Sequence, residues 1–492
     1  MSAPVKDRSW RRRLPIAAMA ALLGGCAVGP DFVRPQAPAT PRYTAEPTPT
    51  EMTPAVGGVT QRIDSSQAIS SEWWELFRSP SLDEVVARTL QDNPSLAAAR
   101  ATLAQALEAV TAARGAFFPQ LDLGATAQRQ QSALLGRSKQ ALTNSSQISN
   151  LYSVGPTVSY LVDVFGAVRR GVEEQQALAE FQRYELAAAW LTLSGNAVTE
   201  SINIASLRAQ IEAAEDVVTD DEQNLALVQR KLEAGKVPRT DVLTAETQLE
   251  TDRAILPPLR QQLAVAQHAI SILVGQFPAD WSAPDFALEG FELPRELPLS
   301  LPSELVRQRP DVLAAEAQLH AASAAIGVAT AQLFPSLTLS GSVTQEALDV
   351  GSLFSGGGTA WVLAGHLAAP LFHGGTLLAE RRGAIDAYQV SLATYQETVL
   401  QAFQQVADTL RALDHDAELV SAQKQLLDTA TESLALQRIS YEAGKTDLLL
   451  LLVAQRAYAE ARLGLARAEG QRLADTAQLF VGLGGGWWQA QI

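Results

Sequence analysis

The sequence contains one long internal repeat, and this repeat limits the possible folds more than any other feature. Residues 93–121 align without a gap with residues 309–337, and each segment carries the dipeptide Phe-Pro near its end. Farther on, the sequence Glu-Ala-Gly-Lys occupies 233–236 and again 442–445. The chain is therefore two copies of one structural unit, joined by a proline-rich segment.

Each copy contains a proline-free segment of unusual length, at 169–232 and 376–441. A helix rises about 1.5 Å per residue, so about 64 residues give a length on the order of 96 Å, which exceeds a compact domain. The pattern predicts a tunnel wall or a coiled coil. Each long helix should end at an Ala-Gly-Lys turn and be followed by a return helix, which Pro257 and Pro258 must break in the first copy.

Shorter segments after each Phe-Pro alternate between apolar and polar residues, which is the period of a β-strand. The alternation is clear in 121–128, 152–164 and 337–343, whereas 361–372 is more uniformly apolar. Transmembrane strands need about 9–11 residues, and the full strands predicted at about 119–131, 150–164, 335–345 and 359–371 are at least that long. The alternative is a soluble sheet with one wet face, but the predicted helices are far too long to cover a sheet of four strands.

Four strands cannot close a membrane barrel, and an open edge would leave backbone groups unpaired in lipid. Two chains would give eight strands, whose interior is filled by side chains. Three chains would give twelve strands and a bore. The small polar residues Ser153, Gly155, Thr157 and Ser159 favour a wet interior. The number of strands needed for a barrel with a bore therefore favours a trimer, although the strand periodicity alone also permits more chains.

The first residues have the pattern of an export signal. Residues 6–13 are basic, and residues 14–25 form an apolar run that is too short to cross a bilayer as a helix, which takes about 20 residues. The single cysteine, Cys26, follows directly and resembles the lipidated cysteine of a bacterial lipobox. An ordinary signal peptide with an incidental cysteine is the alternative. Ala27, rather than an aspartate, favours the outer membrane by analogy.

Charge and composition exclude several classes of function. The formal net charge is −15. Without the first 25 residues, the charge is about −19, which disfavours contact with nucleic-acid phosphates. One cysteine excludes an intramolecular disulfide, and the five histidines lack the spacing of a zinc site. We therefore predict no nucleic-acid partner, no metal and no cofactor.

The predicted domain boundaries follow from the repeat. They are a signal peptide at 1–25, a lipid-anchored extended strap at 26–70 with little to bury, a first repeat at 71–276, a proline-rich segment at 277–302, a second repeat at 303–482 and a tail at 483–492. The predicted strands lie at about 119–131, 150–164, 335–345 and 359–371, and the predicted long helices at about 169–232, 240–275, 376–441 and 446–481.

Five motifs, in this order and spacing, resemble the TolC-like outer-membrane efflux protein family, in particular its lipoprotein branch. They are CAVGPDFVRP at 26–35, WWELF at 73–77 with SLD at 81–83, YSVG at 152–155 leading to DVFG at 163–166, PLFHGG at 370–375, and LGGGW at 483–487. The resemblance covers essentially the whole chain from Cys26 onward. It implies a mainly α fold with β, in which each chain gives four transmembrane strands and a trimer forms a 12-stranded β-barrel continued by an α-helical periplasmic barrel.

The resemblance also implies a function and partners. The chain would be a passive conduit, without an active site, that exports drugs or other small molecules through the outer membrane. Its partners would be two further copies in a homotrimer, a periplasmic adaptor protein, an inner-membrane pump of the resistance-nodulation-division class, and outer-membrane lipid. The turns at Gly235 and Gly444 would form the periplasmic tip on which the adaptor docks.

The resemblance further implies a periplasmic gate that begins at the Tyr-x-x-Gly turn of Tyr441 and Gly444. Relatives often place aspartates at positions that fall here on Leu450 and Val453, inside an apolar run at 448–453. Six consecutive apolar residues cover every side of a helix, so some should be buried and some should face the lumen. We predict closure by apolar contact near Leu449, Leu450 and Val453, with Asp447 as a weaker polar ring.

Motifs for catalysis are not supported by the sequence. Gly444, Lys445 and Thr446 resemble the end of a phosphate-binding loop, but position 439 is isoleucine where that loop needs glycine. Adjacent acids such as Asp220 and Asp221 point to different sides of a helix and are predicted to be solvated. The alternatives to an efflux channel are the outer channel of a type I protein-secretion system and, in another class, a structural periplasmic coiled-coil lipoprotein.

Overall fold

The computed structural model describes residues 27–46, 51–52, 60–64, 69–133 and 146–490. The predicted signal peptide and Cys26 lie outside these residues. In chain order the helices are α1 (Pro80–Asp92), α2 (Pro94–Gly115), α3 (Ala167–Glu233), α4 (Arg239–Arg253), α5 (Leu256–Leu273), α6 (Pro302–Gln308), α7 (Pro310–Ala331), α8 (Thr376–Glu442) and α9 (Leu448–Gly482). The strands are β1 (Arg62–Asp64), β2 (Gln120–Ala133), β3 (Ser146–Val162), β4 (Glu296–Pro298), β5 (Ser336–Ala347) and β6 (Thr359–Ala368).

Helices α3 and α8 occupy equivalent places in the two repeats, and each is 67 residues long. Their return helices differ. Helix α9 runs unbroken for 35 residues, whereas the first return segment stops at Arg253 and restarts as α5, with Pro257 and Pro258 in its first turn. A proline lacks the N–H that a helix interior needs, so the predicted break falls where a first turn tolerates it.

Four strands, one pair from each repeat, form an antiparallel sheet in the order β2-β3-β5-β6. Leu121 lies opposite Val158, Val158 opposite Gly341, and Gly341 opposite Leu363. Asp122 belongs to the next row, with Thr157 and Ser342 as partners. The alternation predicted from the sequence therefore sorts apolar and polar residues onto opposite faces of one sheet.

The chain divides into two compact units, and each unit takes segments from both repeats. The first unit consists of residues up to 34, 104–180 and 316–394, and it contains the four-stranded sheet. The second unit consists of 35–103, 181–315 and 395–492, and it is mainly helical. The repeats are thus units of sequence, and neither of them is a compact unit of structure.

The main hydrophobic core belongs to the second unit. Trp73 and Phe77 are fully buried, and the ring of Trp73 stacks on Phe480 with centroids 5.4 Å apart. The aromatic motif near position 73 therefore packs against the final helix of the chain. Burial of large aromatic side chains supplies much of the stabilisation of such a core.

The strap was predicted to have little to bury, and this prediction is wrong for several of its described residues. Met52, Gln61 and Ile69 are 0–4% exposed in the second unit. Strand β1 also pairs in parallel with β4, so the backbone of 62–64 obtains ladder hydrogen bonds from the proline-rich segment. A few large apolar side chains among prolines are enough to fix an extended segment on a helical body.

Residues 27–34 of the strap lie in the first unit and make specific contacts there. The guanidinium of Arg170 is 2.6 Å from the carboxylate of Asp31, and Arg34 is 2.6 Å from Glu316. The ring of Phe32 stacks on His320 at 4.4 Å. This segment therefore joins α3 of the first repeat to α7 of the second.

Helix α7 is the one helix, in the described part of the chain, that is long and apolar enough to cross a membrane, and 61% of its most apolar stretch is buried in the folded chain. A core helix meets the same criteria, and we assign no membrane span to it.

Candidate functional site

The sheet of the first unit exposes an apolar face. Leu121, Leu123, Trp361, Leu363 and Leu367 are each at least 68% exposed. Strands β2 and β6 are the outer strands, so each has one edge without a pairing strand in the described part of the chain. An exposed apolar face together with two open edges is unstable in water, and both are satisfied when further strands close the sheet within lipid.

The opposite face of the sheet carries small and polar side chains. Asp122, Thr157 and Ser342 form one row across β2, β3 and β5, and Thr338 lies opposite His366 on β6. Gly124 and Gly155 form a further row of this face. Small polar residues leave space and tolerate water, as the interior of a channel requires.

The two turns at Gly235 and Gly444 have the same geometry. Their φ angles are +64° and +66°, in the left-handed region that glycine adopts without strain. Each turn closes with the backbone N–H of the following lysine donating to a carbonyl five residues back, at 2.9 Å and 2.8 Å. This is the helix-ending geometry that the sequence predicts. A Cβ at either glycine would meet no atom within 4 Å, so both turns present an unobstructed surface.

Tyr441 is 3% exposed and is part of a small hydrophobic cluster at the ends of the long helices. The ammonium of Lys231 lies 3.5 Å from the centre of its ring and also donates to its backbone carbonyl. Burial, with a smaller contribution from Asp241, raises the pKa of the Tyr441 phenol. Tyr441 was predicted to mark the turn at which the gate begins, and its side chain packs inside its own chain, where Lys231 connects this turn to the end of α3.

The apolar run at 448–453 is divided between two sides of α9. Leu448, Leu451 and Leu452 are buried, at 0–7% exposed. Leu449, Leu450 and Val453 are 65%, 49% and 58% exposed. The residues predicted to close the gate are therefore available for contact outside the chain. Leu449 and Val453 border an open groove of about 590 Å³ between α4 and α9.

Asp447 has a role that was not predicted. It is the N-cap of α9, and its carboxylate accepts a hydrogen bond of 3.0 Å from the backbone N–H of Leu450. An aspartate directly before an apolar run is a known sequence signal for a helix start, so this role could have been predicted. The residue predicted to form a polar ring thus fixes the first turn of α9.

Asp221 was predicted to be solvated and is instead 3% exposed. Only its neighbour Asp220 fits the prediction in part, since it is half-buried and lies 3.1 Å from the guanidinium of Arg438. Asp221 occupies an apolar stripe of α3 whose other buried members include Val217, Asn224 and Val228. The spacing of three and four residues along this stripe is the signal that would have found it.

A second buried polar group links α8 and α9 to the strap. Burial, followed by the neighbouring Asp475, raises the pKa of Asp416 to about 7, against the opposing influence of Arg472. The buried amide of Gln61 accepts hydrogen bonds from Arg472 and donates to Thr476 at 3.2 Å. Sequence analysis missed this group, because its members are far apart in the chain.

Comparisons with a family model, with known sequences and with solved structures all find outer-membrane efflux or export proteins. The family model described as "Outer membrane efflux protein" matches residues 85–276 and 301–485. The probable efflux pump outer membrane protein TtgC of Pseudomonas putida is 29% identical over 480 residues, which cover 97% of this chain and 96% of that protein. The pyoverdine export outer membrane protein OpmQ of Pseudomonas aeruginosa is 30% identical over 419 residues, which cover 85% of this chain and 87% of that protein. The solved structure of the outer-membrane channel OprN has a TM-score of 0.85 at 28% identity and covers 94% of this chain and 100% of that one.

Proposed function

The chain belongs to the outer membrane efflux protein family, and from this premise we propose that three copies close one 12-stranded barrel in the outer membrane and continue it as a helical conduit. It is an outer-membrane efflux channel protein and not an enzyme. The trimer and the barrel are our proposal. The observation that carries them is the sheet, whose apolar face is exposed and whose two outer strands each have an open edge.

Closure by three copies follows from the edges of the sheet. Strand β6 of one copy would pair with β2 of the next, which removes every open edge from lipid. The row of Asp122, Thr157 and Ser342 would then line the interior, while Leu121 and Leu363 would face acyl chains. Twelve strands leave an interior wider than side chains alone can fill.

We assign the efflux partners to the tips at Gly235 and Gly444. A periplasmic adaptor protein would dock there, and through it the conduit would receive small molecules, such as drugs, from an inner-membrane pump of the resistance-nodulation-division class. The matching φ angles and the open space around both glycines support equivalent docking turns. A Gly444→Trp variant should still form trimers but lose adaptor crosslinking and drug resistance. Retention of both by Gly444→Trp trimers would rule out docking at this turn.

We assign the closed gate to Leu449, Leu450 and Val453. Their exposure within one chain supports contact with the same residues of two other copies around a common axis. A narrow apolar constriction excludes water, so it can block the passage of ions even where the side chains do not fill it completely. Asp447 would contribute a weaker polar ring, since its carboxylate already accepts the capping hydrogen bond.

Planar-bilayer conductance of the purified protein, measured together with its mass in detergent, tests the proposed function. We expect a trimer and discrete channel openings. A monomer that does not conduct would overturn the proposal and would favour a structural coiled-coil lipoprotein. Loss of drug resistance on deletion, with secretion of proteins unchanged, would separate efflux from type I protein secretion.

A further inference from the structure

Two buried carboxyl groups lie behind the gate residues, on the side of α9 that packs against the chain's own helices. Asp221 of α3 is 3% exposed and Asp252 of α4 is 8% exposed, and their carboxyl groups are hydrogen-bonding neighbours. Among the described residues, neither carboxyl oxygen of Asp221 has a donor partner. Burial beside a second carboxyl group opposes ionisation of Asp221, so its carboxyl keeps a proton, which it can share with Asp252.

The pair is connected to the gate helix at two points. Gln455 of α9 is 4% exposed and neighbours Asp221, and neither polar atom of its amide has a hydrogen-bond partner in the described part of the chain. Gln248 donates a hydrogen bond of 2.7 Å to Asp252 and accepts one of 3.5 Å from Arg456 of α9. Gln455 therefore lies on the buried side of α9, two residues after the exposed Val453.

The other charged side chains around Asp221 and Asp252 interact with partners outside this pair. Asp220 acts on Asp221 from the same helix and is itself 3.1 Å from Arg438 of α8. Glu222 of α3 is 2.6 Å from Arg253 of α4. From α9 the charged neighbour is Arg456, which is directed at Gln248. Charge on the Asp221 carboxyl is therefore opposed by Asp252 and Asp220, and Gln455 is the one neighbour that favours it.

We propose that Asp221 and Asp252 form a proton-operated latch on the gate helix, in which one shared proton holds α3, α4 and α9 together and loss of that proton loosens residues 448–460. This inference rests on the proposed gate. No group is transferred other than the proton, which passes to solvent when Asp221 ionises and returns from solvent when its neutral carboxyl reforms. The latch would stabilise the closed arrangement, because a movement of α9 that opens the gate must separate Gln455 from Asp221.

The direction of the pH effect follows from the protonation of the pair. Burial, followed by Asp252, raises the pKa of Asp221 to about 8. The closed arrangement keeps the proton, whereas an arrangement that exposes Asp221 to water loses it near pH 4. The closed arrangement is therefore most stable at low pH, weakens as pH rises from about 4 to about 8, and changes no further above that.

Hydrogen exchange of the purified full chain in detergent tests the latch directly. Exchange of peptides covering 448–460 is measured from pH 6 to pH 9 and corrected for the intrinsic pH dependence of exchange. We expect opening of this segment to increase by up to about tenfold per pH unit between pH 6 and 8 and then to level off. Asp221→Asn and Asp252→Asn should each abolish this dependence.

Asp416→Asn is the matched control, because it removes a buried carboxyl of raised pKa from another part of the same unit. It should leave the pH dependence of 448–460 intact. A wild-type segment whose corrected exchange does not change with pH, or a pH dependence that survives in both Asn variants, would overturn the latch. Protection at pH 8 that rises with calcium and falls with a chelator would also overturn it, since the pair would then hold a cation instead of a proton.

Conductance over the same pH range separates the latch from the proposed function. We expect the open probability of the wild-type channel to rise with pH and that of Asp221→Asn to stay constant. If exchange depends on pH as expected but no variant conducts at any pH, the latch stands and the channel proposal fails. If the channel conducts while exchange of 448–460 is independent of pH, the latch alone fails.

Discussion

At the residue scale, the side chains at the proposed gate have more than one role. Asp447 caps α9 with its carboxylate, while Leu449 and Leu450 in the same turn face away from the core. Tyr441 is buried and binds Lys231 through its ring and its carbonyl. A change at any of these positions therefore alters both the contact surface and the way in which the helix begins, and the two effects need separate variants.

We predict that Asp447→Ala weakens the start of α9 by about 1 kcal/mol, because one backbone N–H loses its acceptor. Asp447→Ser keeps a capping oxygen and removes the charge. Hydrogen exchange of the first turn of α9 should therefore increase in the alanine variant and stay close to wild type in the serine variant. If Asp447→Ser opens the channel although it keeps the cap, then charge rather than apolar contact holds the gate closed.

Asp416 gives a pH dependence of stability. Its raised pKa of about 7 means that the folded chain keeps a proton that the unfolded chain loses near pH 4. Its contribution to stability is thus full below about pH 4 and is lost as pH rises to about 7. Asp416→Asn should reduce the fall in melting temperature between pH 5 and pH 8, by a difference equivalent to at most about 3 kcal/mol. An unchanged difference between the two pH values would show that Asp416 titrates normally.

At the element scale, the sequence contains strong signals for the strands, the long helices and their ends. Alternation places Leu121 and Asp122 on opposite faces, the glycine at 444 marks a left-handed turn, and the proline pair at 257–258 marks a helix start. These signals are local, because steric and hydrogen-bonding limits act within a few residues. The burial of Asp221 and of the strap depends on partners far away in the chain, and local reading of the sequence did not find them.

The division of 448–453 between two sides of α9 leads to a prediction about the gate. Leu450→Ser and Val453→Asp should both raise single-channel conductance or open probability, because each introduces a hydrated group into an apolar constriction. Leu451→Ser is the matched control, since Leu451 is fully buried in the same turn. It should destabilise α9 through the loss of buried apolar area instead of opening the constriction selectively. Wild-type conductance in both Leu450→Ser and Val453→Asp would contradict the proposed gate.

The contact between β3 and β5 depends on one glycine. A Cβ at Gly155 would overlap the carbonyl oxygen of Val343, whereas a Cβ at its pairing partner Gly124 would meet no atom within 4 Å. We predict that Gly155→Val abolishes detergent-resistant trimers and that Gly124→Val leaves them intact. Trimers of equal heat resistance in the two variants would mean that β3 and β5 tolerate a wider separation.

At the scale of the whole molecule, we expect contact with the membrane in two ways. Cys26, which follows the signal peptide in the sequence, is expected to carry lipid, and the exposed apolar face of the sheet is expected to lie in the bilayer. Two acyl chains anchor a protein stably, and one does so only marginally. The segment 27–34 is held on α3 and α7 by Arg170 and Glu316, so a lipid on Cys26 would be tethered to the unit that contains the sheet.

We predict that Cys26→Ala abolishes incorporation of labelled palmitate, because the chain has no other cysteine. Transport should remain near wild type, since the proposed barrel would itself hold the protein in the membrane. The measurement is palmitate labelling beside a drug-resistance assay of the same cells. Labelled Cys26→Ala protein would show that lipid is attached elsewhere or that no lipobox exists.

The pairing of β3 with β5 also determines the order in which the molecule can be made. Strand β3 is synthesised with its first repeat, but the strand beside it belongs to the second repeat and follows only after α3 to α7. At about 5–20 residues per second, the first hairpin waits many seconds with an unpaired edge and exposed leucines. Contacts between residues so far apart in sequence also form slowly. We therefore expect a chain that is only half synthesised to need holding chaperones and to aggregate without them through the same edge that later joins the two repeats.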